Sequence, residues 1–140
     1  MSKYAGAQGS FALSIAEFVE KSKQAIDSTI REVVIEIGNS VIRMSPVDTG
    51  RFRGNWQFSI DAPAAGTLST LDPTGGQASA RLAADSILLK AGHTFFVVNN
   101  LPYAIPLEYG HSDQAPGGMV RITLARFQRI IEEAIRNNQI

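Results

Sequence analysis

Apolar side chains recur three or four positions apart through the first third of the chain, at Val19, Ile26, Ile30, Val33, Ile37, Val41 and Met44. That spacing is one stripe of an α-helix. The other face carries Lys21, Lys23, Asp27, Arg31 and Glu32. Ser14 with Glu17 three positions on has the form of a capping box, and Leu13 and Phe18 sit where a hydrophobic staple needs them. The stop is Ser45-Pro46, because the residue before a proline avoids the helical region. Thirty residues of helix would run about 45 Å. A compact chain of this size has a radius of gyration of roughly 14 Å. The helix therefore either bends, near Gly38-Asn39-Ser40, or reaches past its own domain toward a partner.

Pro46-Val47-Asp48-Thr49-Gly50-Arg51 is a turn by composition. The pattern then changes period. From 52 to 60, Phe52, Trp56, Phe58 and Ile60 fall on one face of a half-buried strand, with Gly54 as a bulge and Trp56 in the core. Residues 61–80 are rich in Ala, Pro, Gly, Ser and Thr and read as one long loop. A short helical segment fits 80–89, with Leu82, Ile87 and Leu88 inward; a strand over 86–90 competes with it. Thr94-Phe95-Phe96-Val97-Val98-Asn99 is dense in β-branched and aromatic residues, a central strand. Val120, Leu124, Phe127, Ile131 and Ile135 mark a second amphipathic helix over 117–137, with Arg121, Arg126, Arg129 and Arg136 outside beside Glu132 and Glu133. Interrupted by acids, that face is most simply a solvated one.

Between the apolar strand and the last helix lies a segment that solvated linkers do not resemble. Residues 99–120 are punctuated by Pro and Gly yet carry two tyrosines, several large aliphatics and a methionine. Such a segment must lie against something, its own core or another subunit. The expected fold is α+β: a small, mainly antiparallel sheet packed with a long N-terminal helix and a C-terminal helix. At 140 residues it is expected to be one domain, 1–140, with a flexible arm over residues 1–10.

Composition narrows the function classes. With 13 basic and 13 acidic residues the formal net charge is zero. Proteins that hold nucleic acid through bulk charge are usually strongly basic. Weak self-repulsion also permits packing into an assembly. There are no cysteines, so no disulfide framework and no thiolate chemistry. No secretory signal is expected at the N-terminus, and no apolar run approaches the ~20 residues of a membrane span.

The fragments of catalytic motifs are incomplete. Asp48-Thr49-Gly50 matches the triplet that carries an aspartic-protease carboxylate, but it follows a helix-ending Ser-Pro and has no second copy. A turn in which Asp48 bonds its own backbone fits better. Gly110-His111-Ser112-Asp113-Gln114 lacks the final Gly of a nucleophile elbow. His93 and His111 have no acidic cluster beside them for a metal, and Gly75-Gly76 lacks the Lys of a phosphate loop. No catalytic, cofactor or metal residues are assigned.

Two motifs resemble one family. Ser45-Pro46-Val47-Asp48-Thr49-Gly50-Arg51-Phe52-Arg53-Gly54-Asn55-Trp56, placed just after a long helix, resembles the Pro-Val-Asp-Thr-Gly-x-Leu-Arg signature of the tailed-phage tail-component family, the minor tail proteins of the head–tail neck. Phe52 stands where that motif usually has Leu. Asn99-Asn100-Leu101-Pro102-Tyr103-Ala104, continuing through Leu107-Glu108-Tyr109-Gly110-His111-Ser112 to Met119-Val120, resembles the same family's Tyr-Ala-x-x-x-Glu-x-Gly-x-Ser block. The likeness spans about residues 15 to 135, and the 61–80 loop has no counterpart in it. It implies a structural protein rather than an enzyme: a homo-oligomeric ring, most often six-fold, that completes or terminates the tail and joins it to the capsid connector. The implied partners are the tail-tube protein and the connector or stopper proteins, with non-specific DNA contact in the channel and no membrane. The implied location is the virion neck, after assembly in the host cytoplasm. Candidate interface residues are Asp48, Arg51, Arg53, Tyr103, Leu107, Glu108, Tyr109, Gln114, Met119 and Arg121, since Tyr and Met are enriched in interfaces and Arg51 and Arg53 can pair with acids of a neighbour; the competing reading puts Tyr103 and Leu107 in the core and the two arginines on a plain surface. The alternative is a nucleic-acid-binding or other small oligomeric binding module.

Overall fold

A computed structural model describes the backbone of residues 7–139 and the side chains of residues 14–139. Among the described residues eight elements follow in order: helix α1 (Ala7–Met44), the helical turn α2 (Arg51–Gly54), strand β1 (Trp56–Ile60), helix α3 (Gly76–Ser86), strand β2 (Phe95–Asn99), and helices α4 (Ala104–Glu108), α5 (Val120–Ala125) and α6 (Phe127–Asn137). The fold is α+β. A long N-terminal helix and a C-terminal helical segment pack with a two-stranded antiparallel sheet.

The stripe of α1 does what its period predicts, but only along the C-terminal half. There Val41 and Ile42 enter the core, and Gly38 lies against Leu82 of α3. A Cβ at Gly38 would meet the Leu82 methyls at 2.5 and 2.8 Å, so its small size sets the α1–α3 approach. The helix is continuous from Ala7 to Met44. At 38 residues it is about 57 Å long. Ser14 lies inside it, so the expected capping box does not begin it, and the Leu13 side of the staple lies outside the described side chains. Of the arm expected over 1–10, residues 1–6 lie outside the described residues and 7–10 belong to α1.

The strand expected over 52–60 splits. Residues 51–54 form a helical turn, and β1 begins only at Trp56. Gly54 is therefore no bulge: it closes α2, with Thr70 and Asp72 packed over it. Phe52, Trp56 and Phe58 are still buried together, and Ile60 is half-buried. Trp56 donates its indole N–H to Ser45 Oγ at 2.6 Å, and Ser45 Oγ donates to Val41 O at 2.6 Å. This chain ties the sheet to the end of α1 without leaving a buried donor unpaired. Replacing Trp56 by Phe should keep most of the packing, leave Ser45 Oγ donating to Val41 O but with no donor to accept from, and cost about 1–2 kcal/mol in a denaturant titration.

The loop runs from 61 to 75, and α3 starts at Gly76, earlier than expected. Leu82 is inward as expected, with no exposed surface. Ile87 and Leu88 are instead exposed, because α3 ends at Ser86 and the chain turns so that Leu89 is the buried residue. No strand forms over 86–90. β2 is not central; it pairs with β1 alone, from Phe95 opposite Ile60 to Asn99 opposite Trp56. At the start of β1, Arg81 Nη2 donates to Gly54 O and Trp56 O.

The single helix expected over 117–137 is two, broken at Arg126. Its apolar stripe is also not all inward. Val120, Leu124, Phe127 and Ile135 are 39–58% exposed, while Thr123 and Ala134 are buried. Thr123 Oγ1 lies 2.6 Å from Ser40 Oγ, a buried polar contact that docks α5 on α1.

Candidate functional site

The two motifs meet in space. Gln114, from the segment before α5, bonds both backbone groups of Val47: Val47 N–H donates to Gln114 Oε1 at 2.8 Å, and Gln114 Nε2 donates to Val47 O at 3.0 Å. This imitates a strand pairing and joins chain positions 67 residues apart. Beneath the clasp, the Phe52 and Tyr103 rings pack with centroids 5.9 Å apart, and Phe52 meets Trp56 edge-on at 6.0 Å. A hollow of about 320 Å³ lies between the Asp-Thr-Gly turn and the segment carrying Tyr103, Leu107 and His111.

That hollow brings Asp48, His111 and Ser112 to one wall system, residues that in sequence looked like scraps of unrelated motifs. They do not form a relay. Ser112 Oγ accepts the N–H of Gln114, the His111 N–H donates to Pro106 O, and among the described residues no hydrogen bond joins the three side chains. A Ser-His-Asp relay needs the imidazole hydrogen-bonded between the other two. Asp48 does not turn on its own backbone either; Thr49 does that, accepting the N–H of Arg51 through Oγ1. Among the described residues no group of three His, Cys, Asp or Glu is arranged to hold a metal ion.

The second part of the site is built on Glu108 at the end of α4. Its Oε1 accepts the N–H groups of Met119 and Val120, each at 2.8 Å. Its Oε2 accepts the N–H of Arg121 at 2.9 Å and Arg121 Nε at 3.1 Å, while Arg121 Nη2 donates to Glu108 O. Burial pushes this carboxyl up, but the three backbone donors and the Arg121 guanidinium outweigh it and hold the group below its ordinary value. The Arg121 guanidinium also lies 4.8 Å above the Tyr109 ring. One carboxylate thus fixes the start of α5 relative to α4, across a loop of eleven residues.

The expected interface residues separate into three groups. Met119 is 1% exposed and belongs to the core of its own chain. Arg53 is also spent internally: it donates to Arg43 O, Ser45 O and Pro73 O, closing the end of α1, where unpaired carbonyls collect. Leu107 packs against the core, and Glu108 and Gln114 shape the surface. Exposed surface is left at Asp48, Arg51, Tyr103, Tyr109 and Arg121. Ile105, which sequence reasoning did not single out, is 72% exposed beside Tyr109, at the rim of a groove of about 510 Å³ between β2 and α4–α5.

Two further residues carry the architecture unnoticed in sequence. Asn55, with no exposed surface, donates to Arg51 O and Leu68 O and accepts the N–H of Leu68. Asp72, 3% exposed, accepts the N–H of Ala78 in the first turn of α3. Their signal was only a polar residue between glycine and tryptophan and an Asp-Pro pair. Asn55→Ala should release the 61–75 loop and cost about 2–3 kcal/mol, read as faster cleavage within that loop in limited proteolysis.

No protein-family model matches this chain, and neither a curated protein nor a solved structure matches it. Among the described residues no helix is long and apolar enough to cross a membrane.

Proposed function

We propose that the chain is a structural subunit of a tailed-phage neck, one copy in a ring that completes or terminates the tail and joins it to the capsid connector. The observation that carries this reading is the union of the two family-like motifs into one clasped unit through Gln114 and Val47. A second support is the exposed apolar and aromatic surface beside that unit, at Ile105, Tyr103 and Tyr109. A monomer gains nothing from exposing such residues together, whereas a subunit buries them against its neighbour. Rings close by pairing two unlike faces of one protein. Here the Asp48–Arg51 turn and the Tyr109–Arg121 surface are two such faces. The candidate partners are further copies of this chain, then the tail-tube and connector proteins, around a channel for DNA.

The deciding measurement is the mass of the assembled particle in solution, with and without tail-tube protein. Ring formation, alone or on the tube, is the expected result. Tyr109→Ala should weaken that assembly by about 2 kcal/mol, close to thirtyfold, as loss of a central aromatic contact does. A chain that stays monomeric at high concentration and ignores the tube overturns the reading. Duplex binding that falls steeply with salt would favour the nucleic-acid module instead.

A further inference from the structure

The N-terminal half of α1 stands clear of the rest of the chain. Every residue from 14 to 21 is exposed, and the apolar ones are not scattered. Ile15, Phe18, Val19, Ser22 and Ile26 fall on one stripe, with Phe18 62% exposed and Ile26 52%. The stripe continues the seam that α6 covers further along. α6 ends beside Glu32, which accepts the side-chain N–H groups of Asn137 and Asn138 at 2.9 and 3.1 Å. Where it ends, an apolar groove of about 540 Å³ opens between Ala25, Ile26, Ile30 and Ile135. A projecting single helix of this kind is marginal in water and holds its shape by burying its stripe.

We propose that a second copy of this chain covers the stripe, its α1 packed antiparallel on this one. The choice of occupant rests on shape. In an antiparallel pair centred between Lys21 and Ser22, position 18 of one copy stands opposite position 25 of the other. The bulky Phe18 then meets the small Ala25 and fills the groove at the end of α6, twice by symmetry. Parallel packing in register would set Phe18 against Phe18 and leave the grooves empty. The small Ser22 near the centre lets the axes approach to the usual 8–10 Å of packed helices, about one side-chain layer. This contact joins like faces. It therefore does not depend on the ring reading, which joins unlike ones at the other end of the molecule.

The chain has no cysteine, so a single introduced thiol reports one place. Ser22→Cys, treated with a short bifunctional thiol reagent, should give a covalent dimer, and Gln24→Cys on the opposite face should not. Phe18→Asp should lower the solution mass of the paired protein twofold while leaving its circular dichroism melting curve cooperative. A monomeric wild-type chain, an S22C variant that does not cross-link, or equal cross-linking of S22C and Q24C overturns the pairing. If rings form and survive Phe18→Asp while S22C stays uncross-linked, the pairing falls and the ring reading stands. If S22C cross-links but the protein never joins a tail tube, the ring reading falls and the pairing stands.

Discussion

Gly50→Ala should lower the stability of this chain by about 3–4 kcal/mol, a drop in melting temperature on the order of 10 °C. Two costs add. Gly50 has φ 90°, a left-handed conformation that a residue with a Cβ resists. Its Cβ would also lie 2.7 Å from the Asp72 carbonyl carbon, with the Pro73 backbone closer still. Backbone cannot rotate away as a side-chain tip can. The close approach is itself structural: Gly50 O accepts the N–H of both Gly54 and Asp72, at 2.9 and 3.0 Å, so one carbonyl closes α2 and ties down the far end of the 61–75 loop. Gly66→Ala separates the two costs. It shares the positive φ, 75°, but has nothing within 4 Å, and should cost only about 1 kcal/mol. Equal losses for the two variants in parallel thermal melts would mean that the crowding at Gly50 contributes nothing. On this reading the Asp-Thr-Gly triplet serves backbone geometry: its glycine is required by contact, its threonine by the bond to Arg51 N, and its aspartate is left facing solvent.

What could be read from the chain follows from the reach of each signal. A stripe sustained over thirty residues identifies α1 because accidental matches to one period become rare over that length. The same reasoning finds a helix after residue 117 but misses its break, since Arg126 is neither Gly nor Pro and the interruption arises where α5 docks on Ser40. Periodicity also says that a face is apolar without saying what covers it. Val41 and Ile26 share a stripe, yet the first is 2% exposed and the second 52%. Ile87 and Leu88 fail for a different reason: a helical phase cannot be carried past the residue where the helix ends. The split of 52–60 into α2 and β1 is hidden because Phe52, Trp56 and Phe58 reach the same core from two backbone conformations. Asn55, Asp72, Glu108 and Gln114 act through backbone groups far along the chain, and side-chain-to-backbone bonds leave no period at all. The motif resemblance drew attention to Glu108 and Gln114, and geometry supplies their task.

Glu108→Ala should cost about 3 kcal/mol and separate α5 from α4. Three backbone N–H groups and a guanidinium lose one acceptor at once, and charge-assisted bonds are the costly ones to leave unmade. The Glu108 side chain is only 16% exposed, so water replaces it incompletely. Glu108→Gln is the sharper variant. It keeps the shape but turns an amide donor toward N–H donors, and it removes the charge. The pH dependence then has a definite sign. The folded-state pKa of Glu108 lies below its ordinary value of 4.5. The carboxylate's extra stability is fully present above that ordinary value and is lost as pH falls through the folded-state pKa. In urea titrations the gap between wild type and E108Q should therefore be constant from pH 7 down to about 5 and narrow below pH 4.5. A gap independent of pH would mean that charge is not what holds the turn. Because Arg121 also lies over Tyr109, both variants should loosen the aromatic surface, and, if the proposed ring forms through it, assembly should weaken even where the fold survives. Stability loss with assembly untouched would put the subunit seam elsewhere on the molecule.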